Sequence, residues 1–145
     1  HDKFDLERSH VFGATVTKVM TASGDAIEVW GSGEEARDLL YVADLVDFVE
    51  RAIDRQQGAY ALYNAGSGRA VSVNELARKI IAASGKPLEI RHDLTKPTIK
   101  TALSLDCRKA ARELGWAPLT ALDDGIRQTL DWWRRQCGRQ QDQAT

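Results

Sequence analysis

Trp30-Gly31-Ser32-Gly33-Glu34-Glu35-Ala36-Arg37-Asp38-Leu39-Leu40-Tyr41-Val42-Ala43-Asp44-Leu45-Val46 decides the fold of this chain. An aromatic side chain and a Gly-x-Gly turn lead to a lone arginine, Arg37. Asp38-Leu39-Leu40-Tyr41-Val42 then reads as an apolar strand, and an acidic residue opens the segment behind it. From Ala43 to Arg55 the period changes. Leu45, Val46, Phe48, Val49, Ala52 and Ile53 fall on the i, i+3, i+4, i+7 stripe of an amphipathic helix. A turn, a strand and a helix in that order make an α/β unit.

Upstream, Val11, Phe12, Ala14, Val16, Val19 and Met20 place a helix over residues 10–22, and Gly24-Asp25 is a turn signal. Ile27-Glu28-Val29-Trp30 alternates as a half-buried strand does. Downstream, Tyr60 to Asn64 reads as a short strand running into the Gly-rich turn Ala65-Gly66-Ser67-Gly68. Ser72-Val73-Asn74-Glu75 is a capping box, so a helix should start there and end at Gly85. Leu88 to Arg91 is a further strand. Asp106 caps a short helix through Leu114 that Gly115 stops, and Thr120 to Asp123 starts a last helix with Leu122, Ile126, Leu130 and Trp133 inside. Residues 1–136 are thus expected to form one lobe, with 137–145 a flexible polar tail.

A length of 145 residues, 43% hydrophobic and 28% charged, suits one globular domain with a buried core. The net charge of -1 lacks the basic footprint of a nucleic-acid binder, and Arg134, Arg135 and Arg139 make only a short cluster. No apolar run approaches the ~18 residues a bilayer span needs, and residues 1–10 carry no signal-peptide core. Neither a nucleic-acid nor a membrane partner is expected. Cys107 and Cys137 form no Cys-x-x-Cys pair and read as reduced thiols of a cytoplasmic protein. His1, His10 and His92 lack metal-ligand spacing. His1 opens the sequence and Met20 lies inside an apolar segment, so the expectation is a piece of a longer chain.

His1-Asp2-Lys3-Phe4-Asp5-Leu6-Glu7-Arg8-Ser9-His10-Val11 adds a second pattern to the Trp30–Val46 stretch. Together they resemble the substrate-binding C-terminal lobe of the extended short-chain dehydrogenase/reductases, the NAD-dependent epimerase/dehydratase family, and within it most nearly the GDP-L-fucose synthases. Leu114-Gly115-Trp116-Ala117-Pro118 matches the C-terminal end of that pattern, so the resemblance runs from residue 1 to about 136. It implies an α/β lobe of mixed helices and short strands, lacking the N-terminal Rossmann half. The Gly-rich dinucleotide loop and the Tyr-x-x-x-Lys pair of such enzymes do not occur in this sequence. NAD or NADP would therefore bind only in a full-length parent, and this chain alone is expected to be inactive. In the family, the strand at Tyr60–Asn64 and the helix at Ala43–Arg55 pack on the Rossmann half, which would otherwise leave apolar surface open to self-association.

The resemblance assigns roles residue by residue. His10 would give and take a proton at the sugar, a task suited to imidazole; the plainer reading is a capping contact at a helix start. Lys18, about two helical turns further on, would meet the diphosphate, or else be a solvated lysine. Arg37 would grip the same diphosphate with its guanidinium fork; its alternative is a surface ion pair with Glu34, Glu35 or Asp38. Trp30 would offer a flat face to the nucleotide base, or else fill the core. Lys96, in Asp93-Leu94-Thr95-Lys96-Pro97, would reach the nucleotide. The pattern breaks beyond it, where Ala102 and Leu103 stand for usual basic residues and Lys100 appears earlier. The implied ligand is a nucleotide-diphosphate sugar. A UDP- or dTDP-sugar 4-epimerase or 4,6-dehydratase remains open, as does a noncatalytic binding or assembly module.

Overall fold

The computed structural model describes Phe4, residues 8–96, Thr98 and residues 101–142, with side chains through Gln136. The motif positions His1 to Lys3, Asp5 to Glu7, Pro97 and Lys100, and the side chain of Cys137, lie outside the described residues. In chain order the elements are α1 (Val11–Thr21), β1 (Ala26–Trp30), β2 (Ala36–Asp38), α2 (Val42–Arg55), β3 (Ala70–Ser72), α3 (Val73–Ser84), β4 (Glu89–Asp93), α4 (Arg108–Leu114) and α5 (Leu122–Asp142). They group into two compact units that interleave along the sequence. Among the described residues no helix is long and apolar enough to cross a membrane.

The first unit takes residues 1–34, 73–99 and 123–145. Its β1 and β4 pair in parallel, Ala26 opposite Glu89 through Trp30 opposite Asp93. Along β1 burial alternates, with Ile27 and Val29 inside and Glu28 and Trp30 outside, as the two-residue period requires. α1 packs on α3. Val16 and Val19 of α1, Ala77 and Ile80 of α3 and Leu130 of α5 are fully buried, and each larger apolar side chain stabilises the unit by roughly 1.5–3 kcal/mol. α3 starts directly after Ser72, where the capping box placed it.

The second unit takes residues 35–72 and 100–122. β2 and β3 pair antiparallel, and Ala102 bridges to the other side of Ala36 in parallel. Its core is Ala110, Leu114 and Trp116 packed by Leu40, Phe48, Ala52 and Tyr63. Phe48 meets Trp116 edge-on at 5.1 Å between ring centroids. The Trp116 indole N–H donates to the Asp44 carbonyl at 3.1 Å. The Asp44 carboxylate, only 6% exposed, accepts the backbone N–H of Leu119 and of Thr120. Gly115 ends α4 in the left-handed region at φ 61°, which glycine adopts without strain.

Three sequence expectations shift. The strand expected over Asp38–Val42 lies at Ala36–Asp38, because β3 offers only three partners and Leu40 turns into the Trp116 core. The expected strand at Tyr60–Asn64 has no ladder partner among the described residues. It is nevertheless an alternating stretch, with Tyr60 and Leu62 81% and 70% exposed and Ala61 and Tyr63 half-buried. α4 begins after Cys107, although the Asp106 carboxylate still accepts the Arg108 N–H at 3.0 Å. Helical backbone continues to Asp142.

Candidate functional site

Three of the residues singled out in the sequence come together in the first unit. Trp30 ends β1 on its outer face and is 56% exposed, so it is not a core tryptophan. Lys18, in the last turns of α1, places its ammonium 5.3 Å from the centre of the Trp30 ring. Lys96, just past β4, places its own at 5.3 Å as well. Two cations against one exposed indole are a cation–π cluster. Lys18 also donates to the Glu28 carbonyl at 2.8 Å. Burial pushes the Lys18 ammonium below its usual pKa, while the Glu28 charge pulls the other way.

The turn that follows Trp30 is fixed from several sides. Gly33 sits at φ 68°, and a side chain there would run into the Asn74 amide. Asn74 donates to the Ser32 carbonyl at 2.8 Å and bonds through its other amide atom to His92 Nε2 at 2.8 Å. The Asn74 N–H donates to the Gly33 carbonyl at 3.0 Å, and the Ser32 N–H to the Thr98 hydroxyl at 3.3 Å. Because the Asn74 N–H₂ group is spent on Ser32, its oxygen faces His92, which must donate from Nε2. Sequence reading passed over Asn74 as a mere helix-start residue. Glu28 was likewise absorbed into the strand pattern.

His10 is the N-cap residue of α1 and makes no side-chain cap bond. Its backbone carbonyl accepts the Ala14 N–H at 2.9 Å, so the imidazole is not consumed by the capping contact.

Arg37 belongs to the second unit, in the middle of β2. Its guanidinium donates to the Thr101 hydroxyl at 2.6 Å rather than pairing with the neighbouring Asp38. Asp38 is otherwise engaged. It accepts from the Ser67 N–H and hydroxyl at 2.6 Å each, and from the N–H groups of Gly68 and Leu105 at 2.9 Å each. Burial opposes its ionisation, but the Ser67 hydroxyl and these backbone donors outweigh it and hold the carboxyl below its usual pKa. Within the Gly-rich Ala65–Gly68 turn, the Ser67 and Gly68 N–H groups are thus spent on Asp38.

The description "GDP-mannose 4,6 dehydratase" names the family model that matches residues 10–129. The chain belongs to this family. It is 36% identical over 143 residues to GDP-L-fucose synthase 1 of Arabidopsis thaliana, covering 96% of this chain and 44% of that protein. Among solved structures, it superposes on UDP-glucose 4-epimerase of Thermotoga maritima with UDP-glucose at a TM-score of 0.76 and 28% identity. That match covers 94% of this chain and 43% of the epimerase. It also superposes on UDP-glucose 4-epimerase of Bifidobacterium longum with NAD+ and UDP, at 0.74 and 26% identity, over 87% of this chain and 39% of that one. The chain thus spans less than half the length of these family members.

Proposed function

We propose that this chain is the substrate-binding portion of an NAD(P)-dependent nucleotide-sugar epimerase/reductase, with chemistry like that of GDP-L-fucose synthase. The observation that carries the reading is the convergence of the Lys18 and Lys96 ammoniums on the exposed Trp30 ring. Two ammoniums on an open surface attract a diphosphate, and the indole gives the adjoining nucleoside a flat apolar contact. Arg37, in the second unit, is assigned a phosphate-gripping role of its own on the family resemblance. Its Thr101 bond orients the fork and leaves other N–H groups to face phosphate oxygens.

His10 is the acid–base residue of this reading. A 4-keto group acidifies the carbons beside it, and an imidazole can remove a proton from one face and return it. The nicotinamide cofactor supplies hydride exchange when bound, in the part of the enzyme beyond this lobe. The apolar stripe of Val42, Val46, Val49 and Ile53 on α2, with Tyr60 and Leu62, is the surface that part would cover. Alone, the chain therefore lacks turnover.

A UDP-sugar 4-epimerase is the second reading. It is favoured by Ala102 and Leu103 standing where fucose synthases carry basic residues. Arg37 tests the shared core of both. In the full-length enzyme, Arg37→Ala should weaken nucleotide-sugar binding about ten- to a hundredfold, the worth of a charge-assisted contact, with cofactor affinity unchanged. Arg37→Lys should recover part of it. Unchanged substrate affinity in Arg37→Ala would remove Arg37 from the site.

A further inference from the structure

Glu28 and Trp30 share the exposed face of β1, one position apart in the alternation. The Trp30 indole N–H donates to the Glu28 carboxylate at 2.9 Å, while the Glu28 carbonyl accepts from the Lys18 ammonium at 2.8 Å. One residue thus holds both the ring and one of the cations over it. The cross-strand neighbour of Glu28 is Arg91, whose guanidinium is taken by Asp25 at 3.0 Å. Asp93, opposite Trp30, accepts from the N–H and hydroxyl of Thr95, and the Lys96 charge also helps hold its carboxyl below the usual pKa. The Glu28 carboxylate, bonded to the Trp30 indole, acts on the Lys18 side of the Lys18–Trp30–Lys96 cluster, where its charge favours the ammonium.

We propose that Glu28 is a positioning and charge-tuning residue, which fixes the Trp30 ring through its carboxylate and lowers the cluster's affinity for anions. The inference rests on the reading of that cluster as a diphosphate site. Two consequences follow, with opposite signs. The hydrogen bond to the indole removes rotameric freedom from Trp30 and keeps the ring under the two ammoniums, which favours binding. The carboxylate charge repels an incoming diphosphate, which opposes binding and favours release. A residue that only supported the strand would show neither the second effect nor any gain on losing its charge.

Glu28→Gln separates the two. Glutamine keeps an acceptor for the indole N–H and removes the charge, whereas Glu28→Ala removes both. The 145-residue chain is titrated by calorimetry at neutral pH and low salt with GDP, UDP and inorganic diphosphate. Glu28→Gln should bind each probe roughly three- to tenfold more tightly than wild type, with the gain shrinking as salt is raised. Glu28→Ala should bind at least about threefold more weakly than Glu28→Gln, since the ring is no longer held. The Trp30 indole N–H resonance, identified by its loss in Trp30→Phe, should stay near its wild-type position in Glu28→Gln and move in Glu28→Ala. Wild type that binds while Glu28→Gln is unchanged or weaker overturns the proposal alone. Glu28→Ala equal to Glu28→Gln overturns the positioning half. No saturable binding of any probe by wild type overturns the diphosphate reading, and this inference with it.

Discussion

His10 and Asp38 show how differently single residues declare themselves. His10 stands out in the sequence through the serine and valine that flank it, and as the N-cap of α1 it makes no side-chain cap bond. In the full-length enzyme, His10→Asn should slow solvent deuterium exchange into the sugar by about 10²–10⁴ if the chemistry is fucose-synthase-like. Mass spectrometry of sugar recovered from D₂O reads this directly. No incorporation even in wild type would leave the 4-epimerase reading in front. Asp38 was invisible as more than a strand residue, because its partners Ser67, Gly68 and Leu105 are remote in sequence. Its folded pKa lies below the unfolded value. The clasp therefore stabilises the fold above the unfolded carboxylate pKa and is lost as pH falls through the folded one. Melting temperatures of wild type and Asp38→Asn should differ at about pH 6, and the gap should shrink as pH falls below the ordinary carboxylate range. A gap that stays constant would show that the carboxylate charge is not what holds the loop.

The helices were read nearly to the residue, since each carries an apolar stripe or a local start signal. α3 begins after Ser72 as the capping box dictates, and α2 occupies Val42–Arg55. Short strands were harder. Asp38–Val42 looked like a strand because it is apolar, yet pairing is decided by which partner lies alongside, and β3 pairs with Ala36–Asp38. Tyr60–Asn64 alternates as a strand does but finds no ladder among the described residues. The first turn of α2 also hides a brace that composition does not reveal. Buried Asp44 satisfies two backbone N–H groups of the Leu119–Thr120 segment. Asp44→Ala leaves those donors unmet and should cost about 1–3 kcal/mol. A drop in the urea midpoint with an unchanged slope measures it; an unshifted midpoint would mean water replaces the carboxylate without penalty.

At the scale of the molecule, the two units were not legible at all. Each is assembled from discontinuous stretches, so no linker or composition shift marks them. What the sequence did convey is the apolar surface. Val46, Val49 and Ile53 are 52%, 47% and 81% exposed on a stripe that amphipathic periodicity had marked as inward-facing. The pattern specifies a buried face, and within this chain that face is open. Exposed apolar stripes of this kind drive association. Sedimentation of the chain should show concentration-dependent self-association that Val46→Glu with Ile53→Glu reduces, without lowering the melting temperature. Identical sedimentation would mean that the stripe is not the adhesive surface.

The proposed function gives nucleotide-sugar binding to this chain and cofactor binding to the rest of a full-length enzyme. Calorimetric titration of this chain with GDP, UDP, NAD and NADP tests that division directly. Saturable binding of a nucleoside diphosphate that Lys18→Ala and Lys96→Ala weaken together is expected. Neither nicotinamide nucleotide should bind more tightly than about a millimolar Kd, ~4 kcal/mol of affinity. Tight NAD or NADP binding, or diphosphate binding indifferent to both lysines, would contradict it.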